Sequence, residues 1–287
     1  MLNKNSIIAD IALMDTLKTI ATAYQEIAVM RMRSTRDGIQ HAHLFAEKLT
    51  AIYMSLRYSY PYLKNVASLS HATKDTARVL ITANARFHGN ILRQTFRFFM
   101  QDVDQQSDII IIGSVGKDYL MEQDNKSEYE YFDIPDSDFE YKHLAKLIQT
   151  LLAYKKVYVY YAQFKTVLTQ EPARSEIMSI DTLLTQEKER AKTEGNKKDV
   201  PRYAFEPSGE EIASFLNDTV TISLVRQSLF DSQLARHASR IKAMESLLEN
   251  AKEQTKVLDR TIRKIKSTEE QRKQMNRMTG MYAIINT

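Results

Sequence analysis

Proline and glycine are missing from long stretches at both ends of this chain, and their absence constrains the fold more than any other feature. Residues 1–60 hold no proline and one glycine, Gly38; residues 208–287 hold no proline and two glycines, Gly209 and Gly280. Without those breakers a helix-forming sequence continues until something else stops it. Both ends are therefore expected to be very long helices, with a βαβ-like segment between them. At about 1.5 Å per residue the first would reach about 80 Å and the last about 110 Å. Helices of that length cannot fold back within a small domain. The expected form is an antiparallel shaft with a globular foot where the chain turns round. The longer helix should run past its partner alone.

The first helix is expected from Asn5 to Tyr58, with Pro61 ending it. Leu13, Leu17, Ile20, Tyr24 and Ile27 alternate at spacings of four and three, as in a coiled-coil seam. Between Asn5 and Met30 only Asp10, Asp15, Lys18 and Glu26 are charged; Arg31, Arg33 and Arg36 then arrive together. A helix end so poor in charge is expected to be enclosed, either by the chain itself or by another protein. The last helix is expected to begin near Pro207, with Ser208 beside it and Glu210 and Glu211 in the first turn. Two heptad rows follow: Ile241, Leu248, Thr255 and Ile262, and Met244, Ala251, Leu258 and Ile265. They then meet Glu269 and Arg272, where pairing should weaken.

The middle alternates strand and helix patterns. Val79 to Ala83 is a short apolar run, Ile91 to Met100 has helical character, and Asp108 to Gly113 carries four consecutive isoleucines. Phe139 to Tyr154 is again helical, and Val157 to Phe164 is rich in strand formers. This order implies crossovers and a parallel sheet. Residues 186–202 are polar and charged and are expected to form an exposed loop.

The candidates for chemistry are thin. There is no cysteine, so disulfides and cysteine metal sites are excluded. No apolar run reaches the length of about 18 residues that a membrane span needs, and the start lacks a signal-peptide pattern. Gly113-Ser114-Val115-Gly116-Lys117 follows a strand, but a phosphate loop needs four residues between its glycines and Ser or Thr after Lys; Asp118 stands there instead. A strand-to-helix turn is the better reading. His41, His43, His71, His88, His143 and His237 form no recognisable metal set; His88, just after a strand, draws the most attention. No catalytic residues, metal or cofactor are assigned. The net charge of +4 gives little support for a nucleic-acid partner, and none is expected. Lys252 to Arg277 hold nine basic and four acidic side chains, which would make the tip of the last helix basic.

Several motifs, in order along the chain, resemble the gamma subunit of F-type ATP synthases. Ile7 and Ile11 match the family's beginning, Thr19-Ile20-Ala21-Thr22-Ala23-Tyr24 resembles its "KIT-x-AM" stretch, and Arg31-Met32-Arg33 matches its "K-M-R" signature. Pro61-Tyr62-Leu63 stands where the family often has the same tripeptide, Ile112 to Gly116 resembles "IGxKG", and Tyr158 to Phe164 resembles "YIVYxxF". Tyr203-Ala204-Phe205-Glu206-Pro207 matches "YxxEP", and Ser232 to Ala251 resembles "SExxARxxAMxxAxxNA". Two segments depart from the pattern. The "DRGLCGG" turn reads Asn84-Ala85-Arg86-Phe87-His88-Gly89-Asn90, and "RQxxITxE" reads Lys266 to Lys273.

The resemblance implies an antiparallel coiled coil plus a small Rossmann-like α/β domain: residues 1–60 as the first shaft helix, 75–205 as the foot and 206–287 as the second shaft helix. It implies a non-catalytic rotor inside a hexamer of alpha- and beta-type ATPase subunits. Leu13, Leu17, Ile20, Arg31, Met32, Arg33, Lys266, Arg272 and Lys273 would contact that ring. Asn84, Arg86, His88 and Gly89 would belong to the foot, where an epsilon-type subunit and a membrane c-ring could bind. The expected location is cytoplasmic, peripheral to the membrane. The two departures point to a specialised paralogue, of the kind found in F-like ATPases that drive motility. A non-rotary coiled-coil scaffold is a second reading. A nucleotide-binding enzyme is a third, but it lacks a phosphate-binding turn.

Overall fold

The structure is a computed structural model that describes residues 4–60, 73–104, 107–123, 128–136, 141–177 and 205–285. The turn at Pro61 and the polar loop expected at 186–202 lie outside the described residues. Two helices dominate, α1 (Lys4–Ser59) and α5 (Gly209–Ile285, 77 residues). Between them come β1 (Lys74–Ile81), α2 (Ile91–Asp102), β2 (Asp108–Ile112), α3 (Ser114–Glu122), β3 (Tyr129–Phe132), α4 (Tyr141–Leu152), β4 (Tyr154–Phe164) and β5 (Gln170–Ile177). The start of α5 is capped as its sequence implies, the Glu211 backbone N–H donating to Ser208 Oγ at 3.2 Å. None of the described helices is long and apolar enough to cross a membrane.

The chain forms two units. The first joins Met1–Ala28 with Ile241–Thr287. Lys4 Nζ lies 3.9 Å from Glu269 Oε2, so the start of α1 is level with the late part of α5 and the two run antiparallel. On α5 the residues turned inward include both expected heptad rows, from Ile241 to Ile265, with Met244 and Ala251 fully buried. From Lys266 to Met278 every side chain is exposed, as the charges at Glu269 and Arg272 foretold.

On α1 the expected seam is wrong. Leu13 is 53% exposed, Ile20 47% and Ile27 49%, and Tyr24 is exposed as well. The buried row lies one position along: Ile7, Ala21 and Ala28, with Ile11, Met14 and Gln25 half-buried. Two of its three fully buried positions, Ala21 and Ala28, are small. Alanines at the contact let two backbones approach closely, and dispersion rewards that approach. The bulkier row is left facing outward.

The second unit is Val29–Arg240. Its sheet has the order β3-β2-β1-β4-β5. The first four strands are parallel, and β5 returns antiparallel along β4. The sequence reading missed β5 and β3. Pro172 made β5 look unlike a strand, yet β5 ends the strand order, and proline is tolerated on an edge. β3 is only four residues long.

Strand periodicity splits the core in two. Ile110 and Ile112, with Val79, Ile81, Val157 and Val159, face α4 and the Val225 and Leu229 side chains of α5. Ile109 and Ile111, with Leu80 and Tyr160, face Phe96 and Phe99 of α2 and Leu120 of α3. Farther along, Leu49, Tyr53 and Leu56 of α1 pack against Ala213, Leu216 and Val220 of α5.

Candidate functional site

In an open parallel sheet the ligand crevice lies outside the C-terminal strand ends, where the strand order reverses. Here the order leaves β1 toward β2 on one side and toward β4 on the other, so the crevice lies above Thr82 and Ala83. The chain fills this crevice itself. Ala235 of α5 packs with Ala83, Ile91, Leu92, Val115 and Ala162. Arg236, 3% exposed, donates from Nη1 to the Thr82 carbonyl at 2.6 Å and to Asp136 Oδ1 at 2.7 Å. The Asp136 carboxylate also accepts the backbone N–H groups of Asn84 and Ala85, at 2.7–3.1 Å. Burial pulls the Arg236 guanidinium below its ordinary range, while Asp136 opposes that pull. One ion pair therefore joins three segments: the end of β1, the turn after β3, and α5.

The glycine-containing turn after β2 is equally occupied. Gly113 sits at φ 91°, and a Cβ there would lie 2.8 Å from the Ala83 nitrogen. A Cβ on Gly116 would lie 2.8 Å from Thr82 Oγ1. Ser114 N donates to Asn84 Oδ1 (2.8 Å), Val115 N to the Ala83 carbonyl (3.0 Å) and Gly116 N to Thr82 Oγ1 (3.0 Å). Those are the amides that a phosphate loop would offer to an anion. All three are already used, so the glycines serve close backbone packing.

The foot residues singled out by sequence fall around this joint with different roles. Asn84 is half-buried and ties the β1 end to Asp133, Ile134 and Ser114. The Arg86 side chain is exposed and pairs with Asp118 at 3.0 Å. Gly89 is exposed at φ 61°. His88 is buried against α5: its Nδ1 is 3.3 Å from the Arg236 carbonyl, and Arg240 Nη2 donates to its Nε2 at 3.0 Å. Ser239 Oγ donates to the His88 carbonyl, and Arg240 to the carbonyls of Arg86 and Phe87. Sequence reasoning did not single out Thr82 or Asp136, and it named Ser239 and Arg240 only as part of the Ser232–Ala251 motif. The one available signal was the density of polar residues between Ser232 and Arg240, six of nine, on a helix with apolar partners.

His237 lies beside this joint, 6% exposed, with neither ring nitrogen hydrogen-bonded. Burial, then the charges of Arg236, Arg240 and Arg31, push it down to about 4.

The residues expected to meet a ring of partners are spread along the helices. Leu13 and Ile20 are exposed, and Leu17 is half-buried between the two rows of α1. Arg31 and Arg33 are exposed with Met32 half-buried between them. Lys266, Arg272 and Lys273 are exposed on the stretch of α5 past the seam.

A family model described as ATP synthase matches residues 3–269. Among solved structures, a chain of the Tetrahymena thermophila mitochondrial ATP synthase central stalk and c-ring is similar with a TM-score of 0.55 at 19% identity. The match covers 79% of this chain and 98% of that one. A chain of the Euglena gracilis mitochondrial ATP synthase, solved as OSCP, F1 and c-ring, is similar with a TM-score of 0.55 at 14% identity, covering 91% and 96%. These likenesses share the fold found here, two long helices and a small parallel sheet. The match over nearly the whole chain, with the motifs quoted above, places this protein in the ATP synthase gamma-subunit family.

Proposed function

We propose that this chain is the central rotor of a rotary ATPase, a non-catalytic shaft whose orientation is coupled to nucleotide state in a surrounding hexamer. One observation carries the reading. α1 has two apolar rows: Ile7, Ala21 and Ala28 are buried within the first unit, whereas Leu13, Ile20, Tyr24, Ile27 and Met30 are exposed. A soluble helix leaves so long a row exposed where another protein covers it. A smooth apolar row suits a bearing, because it offers contact without the directional bonds that would hold one orientation. Arg31 and Arg33 add charges that can pair with carboxylates in some orientations and not in others. Such orientation-dependent contacts are what coupling of rotation to nucleotide affinity requires.

In this reading residues 1–60 and 206–287 form the shaft and 75–205 the foot. Lys266, Arg272 and Lys273 face the ring, and the foot meets an epsilon-type subunit and a c-ring at the cytoplasmic face of a membrane. The altered turn at Asn84 to Asn90 and the altered stretch at Lys266 to Lys273 favour a specialised paralogue, for which a motility element in place of the c-ring is the alternative load. The test is a pull-down of the tagged chain from its native cells, with mass spectrometry and a nucleotide hydrolysis assay. Two kinds of ATPase subunit at three copies each per chain, with activity, are expected. The co-purifying proteins then distinguish a c-ring from a motility element. Recovery of the chain alone or self-paired would overturn the rotor reading.

A further inference from the structure

We propose that His88 is a proton-operated latch that holds the Arg86–Asn90 turn onto α5 in its neutral form and releases it when protonated. The argument starts from hydrogen-bond chemistry. A guanidinium has donors only, so where Arg240 Nη2 lies 3.0 Å from His88 Nε2, that nitrogen must be the acceptor. The ring's single proton then sits on Nδ1, which faces the Arg236 carbonyl at 3.3 Å. Both bonds are possible in one form only, the neutral Nδ1–H tautomer. A second proton on Nε2 would set two donors against each other in a site that is 4% exposed.

The surroundings reinforce this. From α5 the charged and titratable neighbours are Arg236, Arg240 and His237, all cationic or neutral. From α1 comes Arg31, which acts on His237. The turn's own Arg86 points away to Asp118, and the carboxylate of Asp136 is engaged by Arg236. No acid among the described residues pairs with the ring. The same guanidinium also donates to the Arg86 and Phe87 carbonyls, so losing the ring contact loosens the whole turn. Phe87 is 63% exposed at φ 69°, a conformation a bulky residue keeps only when its surroundings impose it. Unlatching lets that backbone relax and moves an exposed aromatic ring.

The sign follows from the direction of the shift. Burial holds His88 well below its ordinary value of 6.5. The latch is therefore intact above about pH 6.5, and below it the opening equilibrium rises about tenfold per pH unit until the closed form itself titrates.

Hydrogen exchange of the Arg86–Asn90 amides in the full chain, corrected for intrinsic rates and followed from pH 8 to 5, tests this. About a tenfold loss of protection per unit is expected below pH 6.5 in the wild type. In His88→Gln, which keeps an acceptor for Arg240 but cannot titrate, a flat profile is expected. His237→Gln, whose native ring makes no hydrogen bond to the turn, should keep the wild-type slope. A flat wild-type profile, or equal slopes in wild type and His88→Gln, overturns the latch. Should His88→Gln fail to fold, the ring nitrogen shifts of wild-type His88 at pH 7 decide: Nδ1–H supports the latch, and Nε2–H or a charged ring contradicts it.

Discussion

The two halves of α5 are held in different ways. From Ala213 to Arg240 the helix is gripped by the sheet and by α1, and much of what it buries is polar: Ser232, Gln233, Arg236, His237, Ser239 and Arg240. From Ile241 to Ile265 it is held by a narrow apolar seam in which only Met244 and Ala251 are fully buried. Buried hydrogen bonds and ion pairs are directional and tolerate one register. An apolar seam is close but less directional. The first half is fixed to the sheet, and the second pairs with α1 while its outer faces stay exposed.

The contrast is most sharply broken at Asp136. Asp136→Asn leaves Arg236 charged and buried without its partner, and such losses cost about 3–5 kcal/mol. Urea unfolding followed by circular dichroism should show a fall of that order, whereas a change below about 1 kcal/mol would mean that the joint is not a grip. Gly113→Ala should cost about 3 kcal/mol in the same assay. It combines an unfavourable φ with a Cβ only 2.8 Å from the Ala83 nitrogen.

Acid should weaken the gripped half and spare the seam. His237 is pushed down to about 4 from an ordinary value of 6.5, so its contribution is complete above about pH 6.5 and shrinks as pH falls toward 4. The loss is about 1.4 kcal/mol per unit in that window, roughly 2 kcal/mol by pH 5, and His237→Gln should remove this part of the pH dependence. Equal pH profiles for wild type and variant would contradict it.

The seam answers to size instead. Ala21→Leu should cost about 1–2 kcal/mol by overpacking a fully buried position. Ile20→Ala, next door, should change stability by about 0.5 kcal/mol or less despite removing more apolar surface. A reversed order would restore the seam that spacing alone implies.

That reversal also marks how far the sequence could be read. The long helices were legible because breakers are absent. The heptads of α5 were legible because Leu248, Leu258, Ile262 and Ile265 are large. On α1 the same four-and-three spacing occurs in two adjacent rows, and the larger side chains occupy the exposed one. Counting big apolar residues therefore finds the exposed row and not the buried one. The parallel sheet was visible in its apolar strands, but β5, with Pro172 and three charges, reads as loop until its position at the end of the strand order is known. His88 stood out in the sequence as a lone histidine after a strand, and the structure buries it against α5. Its partners were not legible, because Arg236 meets Asp136 across 100 positions of sequence and Arg240 meets His88 across 152.

The central claim is that the outer apolar row of α1 serves a partner and not the fold. The most direct measurement substitutes Leu13, Ile20 and Ile27 together by serine, then compares thermal unfolding of the isolated chain with nucleotide hydrolysis after assembly with its ATPase subunits. The account predicts an unfolding midpoint close to that of the wild type, with assembly or coupled hydrolysis clearly reduced. A chain that unfolds early, or one that assembles and works as well as the wild type, would contradict it.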